Sequence, residues 1–291
     1  MKNRSRQVLV LGATGMLGRT VYQYLLKHKK NIQGTSRDPK NKNLIYLNFK
    51  KSADLENLFK NKSFSFVINC VGALRGSSNK KLELLNIIFP KALLILSSKY
   101  NFKITNISTD AVFSSTAGDV YEQSTPNPDD LYGKSKLKGE LSKNTINIRT
   151  SILGFDPIEH KGFLEFMLRN KSKRISGFID KKWSGSTTLQ LAKFIKWLIT
   201  GSNFLNLLEK KNIIHFAPLG PVTRYKILKT FSKLINYVKI IKSNGPKQTR
   251  ILKTIYTNEM ELKKHTKSLG KALKELIEYD NDYLKTYKNL K

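Results

Sequence analysis

A tyrosine and a lysine stand four residues apart in Leu131-Tyr132-Gly133-Lys134-Ser135-Lys136. That spacing predicts a shared helix face, because an α-helix turns once in about 3.6 residues. A phenol titrates near pH ~10 and gives up its proton reluctantly at neutrality. A lysine ammonium held beside it favours the phenolate and pulls the phenol toward neutrality. Such a pair serves as general acid to a carbonyl being reduced, or as base in the reverse direction. The same spacing also fits a solvated helix face with a snorkelling lysine, so the choice falls to the rest of the chain.

The elements that would position such chemistry begin at the N-terminus. Gln7-Val8-Leu9-Val10-Leu11 is an apolar run suited to a strand buried on both faces. Gly12-Ala13-Thr14-Gly15-Met16-Leu17-Gly18 follows, then a predicted helix over 19–28 with Val21, Tyr24 and Leu25 on one side. A glycine-rich turn between a strand and a helix lets the backbone approach a pyrophosphate, and the helix N-terminus offers free N–H groups. The spacing is Gly-x-x-Gly-x-x-Gly, not the Gly-x-Gly-x-x-Gly dinucleotide fingerprint. A tight turn without a ligand is the plainer alternative, but the flanking strand and helix favour nucleotide binding. Gly12, Thr14, Gly15, Met16, Leu17 and Gly18 are the candidate residues. Asn31 to Arg37 reads as the second strand, ending in Thr35, Ser36 and Arg37. An acid there would accept from the ribose 2′-OH of NAD, whereas an arginine suits a 2′-phosphate. Asp38 is followed by Pro39, which marks a turn. Ser36 and Arg37 therefore favour NADPH, with NADH as the second candidate.

The chain has 291 residues, 40% of them hydrophobic, which allows one large domain or two moderate ones around a real core. Its one cysteine, Cys70, excludes a disulfide framework and fits a reducing compartment. The first six residues lack the apolar stretch of a signal peptide. Residues 82–96 are interrupted by Asn86, Pro90 and Lys91 and are too short to span a bilayer. A cytoplasmic protein without a membrane span is expected. The net charge of +32 raises nucleic-acid binding as a rival. Its lysines are scattered, with small clusters at 27–30 and 171–174, and no zinc-finger or RNP-like motif accompanies them. A solvated basic surface is expected, with no dedicated nucleic-acid site. His28, His160, His215 and His265 do not pair at metal-ligand spacing, so no metal is expected.

Further strands are predicted at 44–49, 64–71, 102–107 and 145–149, with a helix from Ser52 bearing Asp54 and Glu56 in its first turn. A long helix over 80–99 contains Pro90. A polar loop over 114–130 precedes the Tyr132 helix. This alternation argues for an α/β fold: a Rossmann-type, doubly wound parallel sheet with helices on both faces. Ligands of such sheets bind at the carboxyl ends of the strands, where Gly12, Arg37, Gly72 and Thr109 fall. Residues 1–150 form the expected NAD(P)-binding domain. Residues 151–291 form a smaller α/β substrate-binding portion, with some segments returning to the first domain. Its helices are predicted at 162–170, 187–200, 223–235 and from 259 onward, and its strands at 174–178, 213–217 and 237–241. The charged tail over 264–291 reads as a surface helix with Leu273, Leu276 and Ile277 facing inward.

These residues form a constellation: Gly12-x-x-Gly15-x-x-Gly18, Ser108-Thr109-Asp110-Ala111-Val112-Phe113, Tyr121-Glu122, Pro126 and Pro128, Tyr132 to Glu140, and Arg149-Thr150-Ser151. Together they resemble the extended short-chain dehydrogenase/reductases, most closely the dTDP-4-dehydrorhamnose reductase branch, over about the first half of the chain. Members of that branch reduce the 4-keto group of a nucleotide-linked deoxysugar with NAD(P)H, in nucleotide-sugar and surface-polysaccharide biosynthesis. The resemblance implies that Thr109 hydrogen-bonds the keto oxygen and Tyr132 donates the proton. It gives Lys136 two tasks, tuning Tyr132 and holding the nicotinamide ribose. Asn69 to Gly72, and so Cys70, Val71 and Gly72, would lie against the cofactor ribose. A homodimer is common for this fold.

Ile152 stands where the branch tends to have Trp, and Trp183-Ser184-Gly185-Ser186-Thr187 stands where it usually has a Pro-Thr pair. Both departures fall in the substrate half. An epimerase that recycles its hydride is an alternative. A dehydratase is disfavoured, since Ala111 follows Asp110 where an Asp-Glu pair would be wanted. A non-catalytic NADP-binding regulatory subunit is the third alternative, which intact Thr109, Tyr132 and Lys136 oppose. Asp110, Glu122 and Asp129 are acids near the site that could equally cap turns.

Overall fold

Strands β1 (Gln7–Leu11), β2 (Ile32–Ser36), β3 (Ile45–Tyr46), β4 (Phe64–Asn69) and β5 (Lys103–Ile107) open the chain. They are followed by β6 (Asp119–Val120), β7 (Thr145–Arg149), β8 (Ile152–Leu153), β9 (Ile175–Phe178) and β10 (Lys182–Thr187). The last four are β11 (Ile213–His215), β12 (Leu219–Thr223), β13 (Ile240–Ser243) and β14 (Ile251–Leu252). This is a computed structural model that describes residues 7–29, 31–49, 52–170, 174–236 and 239–289. Seven strands join in the order β3-β2-β1-β4-β5-β7-β11, with every neighbouring pair parallel. The expected doubly wound sheet is thus present, and its order reverses between β1 and β4. Strands on either side of that reversal leave in opposite directions, which opens a crevice at their carboxyl ends.

Helices cover both faces because the strand residues are apolar on both. On one face, Val8, Val10, Ile146 and Ile148 pack against α1 (Met16–His28), which contributes Val21 and Leu25. On the other, Leu9, Leu11 and Val67 meet α2 (Ser52–Asn61) together with residues of the 79–100 segment, including Phe89 and Leu93. That segment departs from the single helix expected over 80–99. It is α3 (Asn79–Glu83), a π-helical turn over Leu84–Ile88, and α4 (Phe89–Tyr100) with Pro90 in its first turn. Proline has no N–H to bond the carbonyl four residues earlier and crowds it. Here that carbonyl is Asn86, and the π-turn absorbs the misfit.

Two further differences have simple causes. Helix α1 begins at Met16 rather than Arg19, so Gly18 lies inside it. The third strand shrinks to Ile45–Tyr46, an edge with little left to pair. Helix α5 (Leu131–Lys138) is started by Asp130, whose Oδ1 accepts from the Gly133 N–H at 2.8 Å.

Beyond Arg149, α6 (Phe163–Arg169), α7 (Thr188–Leu198), α8 (Asn203–Lys210), α9 (Arg224–Ile235), α10 (Leu262–His265), α11 (Leu269–Tyr279) and α12 (Asn281–Asn289) follow. Helix α7 and the β11 strand return to the large sheet. A separate core of Leu153, Phe155, Met167, Trp183, Phe231, Leu273 and Leu276 supports a three-stranded sheet, β12-β10-β8. Leu273 and Leu276 are buried in α11 as expected of the tail. The strand expected over 237–241 is found at β13, starting three residues later and ending two later, and residues 237–238 lie outside the described ones, as do 1–6 and, of the basic clusters, 30 and 171–173. Among the described residues no helix is long and apolar enough to cross a membrane.

Candidate active site

The turn after β1 is built around two glycines. Gly12 has φ of +74°, and its N–H donates to Thr35 Oγ1 at 3.0 Å, so Thr35 braces the turn rather than facing a ribose. A Cβ on Gly18 would stand 2.1 Å from the Gly12 carbonyl oxygen, which only glycine permits. Gly15 is different: it is exposed, precedes the first residue of α1, and a Cβ there would meet only ordinary contact at 3.7 Å. No side chain caps α1 and no acid lies in its first turn. These are the conditions under which a helix N-terminus accepts phosphate. Leu17 is buried in the core, so its contribution is its backbone N–H. Met16 points across to the second portion, 3.2 Å from where a Cβ on Gly154 would be.

At the end of β2, Ser36 is buried and its Oγ accepts from the Asp38 N–H at 3.0 Å, while Asp38 Oδ1 accepts from the Lys40 N–H at 2.9 Å. Asp38 is thereby taken up in the turn. Arg37 keeps a 60% exposed side chain whose nearest acid is Glu159, at 3.9 Å. An uncapped helix start, a glycine cradle and an open arginine together fit a dinucleotide with a 2′-phosphate.

The end of β4 links this turn to the catalytic candidates. Val71 Cγ2 lies 3.2 Å from where a Cβ on Gly12 would be, and a Cβ on Gly72 would be 3.7 Å from Lys136 Nζ. Cys70 lies between the two turns, and burial pushes its thiol up to about 12. A thiol held that high stays protonated at neutral pH.

Thr109 stands at the end of β5, where its Oγ1 accepts from the Ala111 N–H at 3.2 Å and its hydroxyl donates to Asp110 Oδ1 at 3.2 Å. Thr109 is also close enough to the Tyr132 phenol to favour its ionised form. Arg75 stacks over the Tyr132 ring at 5.7 Å while its Nε donates to Asp130 Oδ2 at 2.6 Å. Gly133 lets α5 approach this closely, since a Cβ there would meet the Ala111 carbonyl at 2.1 Å. Lys136 donates to the Ile107 carbonyl at 2.6 Å.

The titration of Tyr132 departs from the expectation. Burial raises the phenol above its ordinary value, with Asp110 and Asp130 adding to this and Thr109 and Arg75 opposing it. Lys136 is not among the groups that shift it, and its ammonium donates to the Ile107 carbonyl. Burial also lowers Lys136, to about 8, with Glu140 and the Cys70 thiol acting upward.

The acids singled out beside the site have structural partners. Arg250 bonds Asp110 Oδ2 through Nε at 3.0 Å and Nη2 at 2.8 Å, and the Phe113 carbonyl through Nη1 at 2.7 Å. Glu122 accepts from the His215 N–H at 2.9 Å, the Thr254 hydroxyl at 2.5 Å and the Ile255 N–H at 3.2 Å. Asp129 Oδ2 accepts from the Ser115 N–H at 2.6 Å.

Several residues that build the site were not visible as such, and Asn69, expected near the cofactor ribose, has its side chain bonded across the sheet. Asn69, Asn106 and Asn147 run as a buried amide ladder across β4, β5 and β7, with side-chain bonds of 2.9 and 3.0 Å. Asn86, on the π-turn, holds Ala73 and Ser135. Polar residues inside apolar strands were the available signal. Trp183 Nε1 donates to Ser151 Oγ at 2.8 Å, so an indole does reach the Arg149-Thr150-Ser151 element, from the neighbouring strand β10. A cavity of about 320 Å³ opens in the second portion, where Phe163, Phe166 and Phe178 alternate with Arg174, Lys181 and Arg224. None of its described lining residues is acidic. The Arg224 guanidinium stacks on Phe163 at 5.0 Å, is close enough to Asp110 and Arg75 to feel their charge, and has a buried Nε without a hydrogen-bond partner among the described residues.

The model of the RmlD substrate binding domain matches residues 6–263. The chain belongs to this family. A solved dTDP-4-dehydrorhamnose reductase from Clostridium acetobutylicum shares the fold at a TM-score of 0.72 and 22% identity, covering 94% of this chain and 98% of its own. The enzyme of the same name from Bacillus anthracis, solved in complex with NADP, aligns at a TM-score of 0.76 and 20% identity, covering 94% and 99%. Methionine adenosyltransferase 2 subunit beta of Xenopus tropicalis is 31% identical over 139 residues, which are 46% of this chain. The match spans 42% of that relative, less than half its length. The chain therefore shares its fold with these reductases and, over less than half its length, its sequence with that subunit.

Proposed function

We propose that this protein is an NADPH-dependent oxidoreductase that reduces the 4-keto group of a nucleotide-linked deoxysugar. The observation that carries the reading is the close approach of α5 to the segment after β5: Gly133 lies against the Ala111 carbonyl, two residues past Thr109, and Lys136 bonds the Ile107 carbonyl beside Gly72.

Gly12, Gly15, Gly18 and the start of α1 would hold the pyrophosphate, Arg37 a 2′-phosphate, and Lys136 with residues 70–72 the nicotinamide ribose. When bound, NADPH supplies the hydride. Tyr132, whose phenol is protonated at neutral pH, would give its proton to the carbonyl oxygen. Thr109 would turn its hydroxyl hydrogen from Asp110 to the same oxygen as negative charge grows there. Arg250 holds Asp110, and the Ala111 N–H bonded to Thr109 Oγ1 keeps the threonine side chain in place while its hydroxyl hydrogen changes partner. Arg174, Lys181 and Arg224, interleaved with three phenylalanines, suit the diphosphate and base of the carrier.

The test is NADPH oxidation with purified protein across a panel of keto-sugar nucleotides. Consumption of NADPH with one of them supports the reading. An epimerised product at constant NADPH would replace it with an epimerase. The likeness to methionine adenosyltransferase 2 subunit beta favours a second reading, a regulatory subunit that uses the fold to bind a partner enzyme. Its signature would be NADPH binding without turnover of any keto-sugar, together with stable assembly on such an enzyme.

A further inference from the structure

Glu140 lies just past α5, one turn beyond Lys136, and its carboxylate is buried at 7% side-chain exposure against Arg149 at 2%. The pair is bidentate: Arg149 Nε donates to Oε1 and Nη2 to Oε2, both at 2.8 Å. Arg149 also stacks on Phe113 at 5.1 Å, so neither partner is free to swing. A fork of this kind fixes geometry as well as charge. Glu140 has one further bond. Its Oε1 accepts from the Ser108 hydroxyl at 2.7 Å.

Ser108 precedes Thr109, and Ile107, whose carbonyl accepts from Lys136, precedes Ser108. The segment from Lys136 to Glu140 therefore grips two consecutive residues of the strand end that presents Thr109. The backbone holds the same end to β7 and the residues after it, by Ser108 N–H to the Ile148 carbonyl at 2.8 Å and Asp110 N–H to the Thr150 carbonyl at 3.1 Å, and leaves the side chains to fix its orientation. The groups around the Lys136 ammonium are Tyr132 and Glu140 on its own segment, the Cys70 thiol at the end of β4, and Arg149 of β7 behind Glu140. Of these, Glu140 is the carboxylate, and it acts with Cys70 to favour the ammonium against burial.

We propose that Glu140, braced by Arg149, is a positioning residue: it fixes through Ser108 the strand end that carries Thr109, and it sets the charge environment of Lys136, without touching substrate. The inference rests on the reading of Thr109, Tyr132 and Lys136 as catalytic. Replacing Glu140 alone leaves Arg149 as a buried unpaired charge, which destabilises strongly. The experiment therefore uses three variants, Ser108→Ala, Glu140→Gln and the charge-neutral double Glu140→Gln/Arg149→Met. Titration of Lys136 is followed by the 13C shift of its ε carbon in ligand-free protein, beside kcat and KM. Glu140→Gln and the double variant should titrate Lys136 about one pH unit lower, and the alkaline limb of kcat/KM should move with it. Ser108→Ala should lose about tenfold in kcat with KM for NADPH and the Lys136 titration unchanged. Variants that only melt at lower temperature, with wild-type titration and wild-type kcat, would overturn the proposal. If the wild-type protein reduces no keto-sugar, the function falls, and the Lys136 titration still decides Glu140's action on the lysine.

Discussion

Tyr132 and Lys136 divide their work differently from the simple picture of an ammonium acidifying a neighbouring phenol. Burial keeps the phenol protonated and weakens the lysine, so the tyrosine enters the reaction loaded and the lysine is the group whose charge is marginal. Tyr132→Phe should remove turnover by a factor of about 10² to 10⁴, while fluorescence titration of NADPH shows unchanged affinity; retained turnover would place the proton donor elsewhere. For Lys136 the folded value is lowered to about 8, so its ammonium is present below that pH and is lost above it. Affinity for NADPH and kcat/KM should accordingly decline as pH rises through about 8, whereas an alkaline limb near pH ~10 would belong to an ordinary lysine. At this scale the catalytic candidates were legible because they are close in sequence to recognisable turns. Ser108, Arg75 and Arg224 were not, since their importance comes from residues 32, 55 and 114 positions away or more, which no spacing reveals: Ser108 to Glu140, Arg75 to Asp130, and Arg224 to the field of Asp110.

The elements show why some glycines are structural and one is open for binding. Gly18 meets the Gly12 carbonyl and cannot carry a side chain without moving α1, whereas Gly15 has a φ of −74° and room for one. Gly18→Ala should therefore lower the melting temperature and abolish NADPH binding together, with a cost of about 1–3 kcal/mol for the overpacked turn. Gly15→Ala should melt like the wild type yet bind NADPH more weakly, as its methyl enters the pyrophosphate approach. Equal losses in both assays for both variants would mean that the turn is only a fold element. The alternation of apolar strands and helices was readable because buried parallel strands are continuous apolar runs. The π-turn at Leu84–Ile88 was not, although Pro90 announced a misfit: a proline states that a helix is disturbed, not how neighbours absorb it. Strand β10 was missed because Lys182-Trp183-Ser184-Gly185-Ser186-Thr187 has no apolar alternation. It is a strand for tertiary reasons, with Gly185 pressed to within 2.0 Å, at the Cβ position, of the Ser151 carbonyl.

For the molecule as a whole, the large sheet carries the residues proposed for cofactor and proton, and the second portion carries the cationic, aromatic cavity. The net charge of +32 is spread over the surface, but in this cavity Arg174, Lys181 and Arg224 gather without an acid among the described lining residues. Arg224 is the informative member. Its neighbours are Phe163 beneath the guanidinium and the charges of Asp110, Arg75 and Arg250, and its buried Nε has no hydrogen-bond partner among the described residues. A diphosphate would supply the missing acceptor. Arg224→Gln should raise KM for the sugar nucleotide by about 10-fold or more, in line with the loss of one charge-assisted bond of roughly 1.5–3 kcal/mol. NADPH affinity should stay at the wild-type value, because Arg224 lies away from the glycine turn, and the free monosaccharide ketone, lacking phosphates, should be reduced equally by variant and wild type. A parallel loss of NADPH affinity would show the two portions to be energetically inseparable. An unchanged KM would move the carrier out of this cavity while leaving Tyr132 and Thr109 in place.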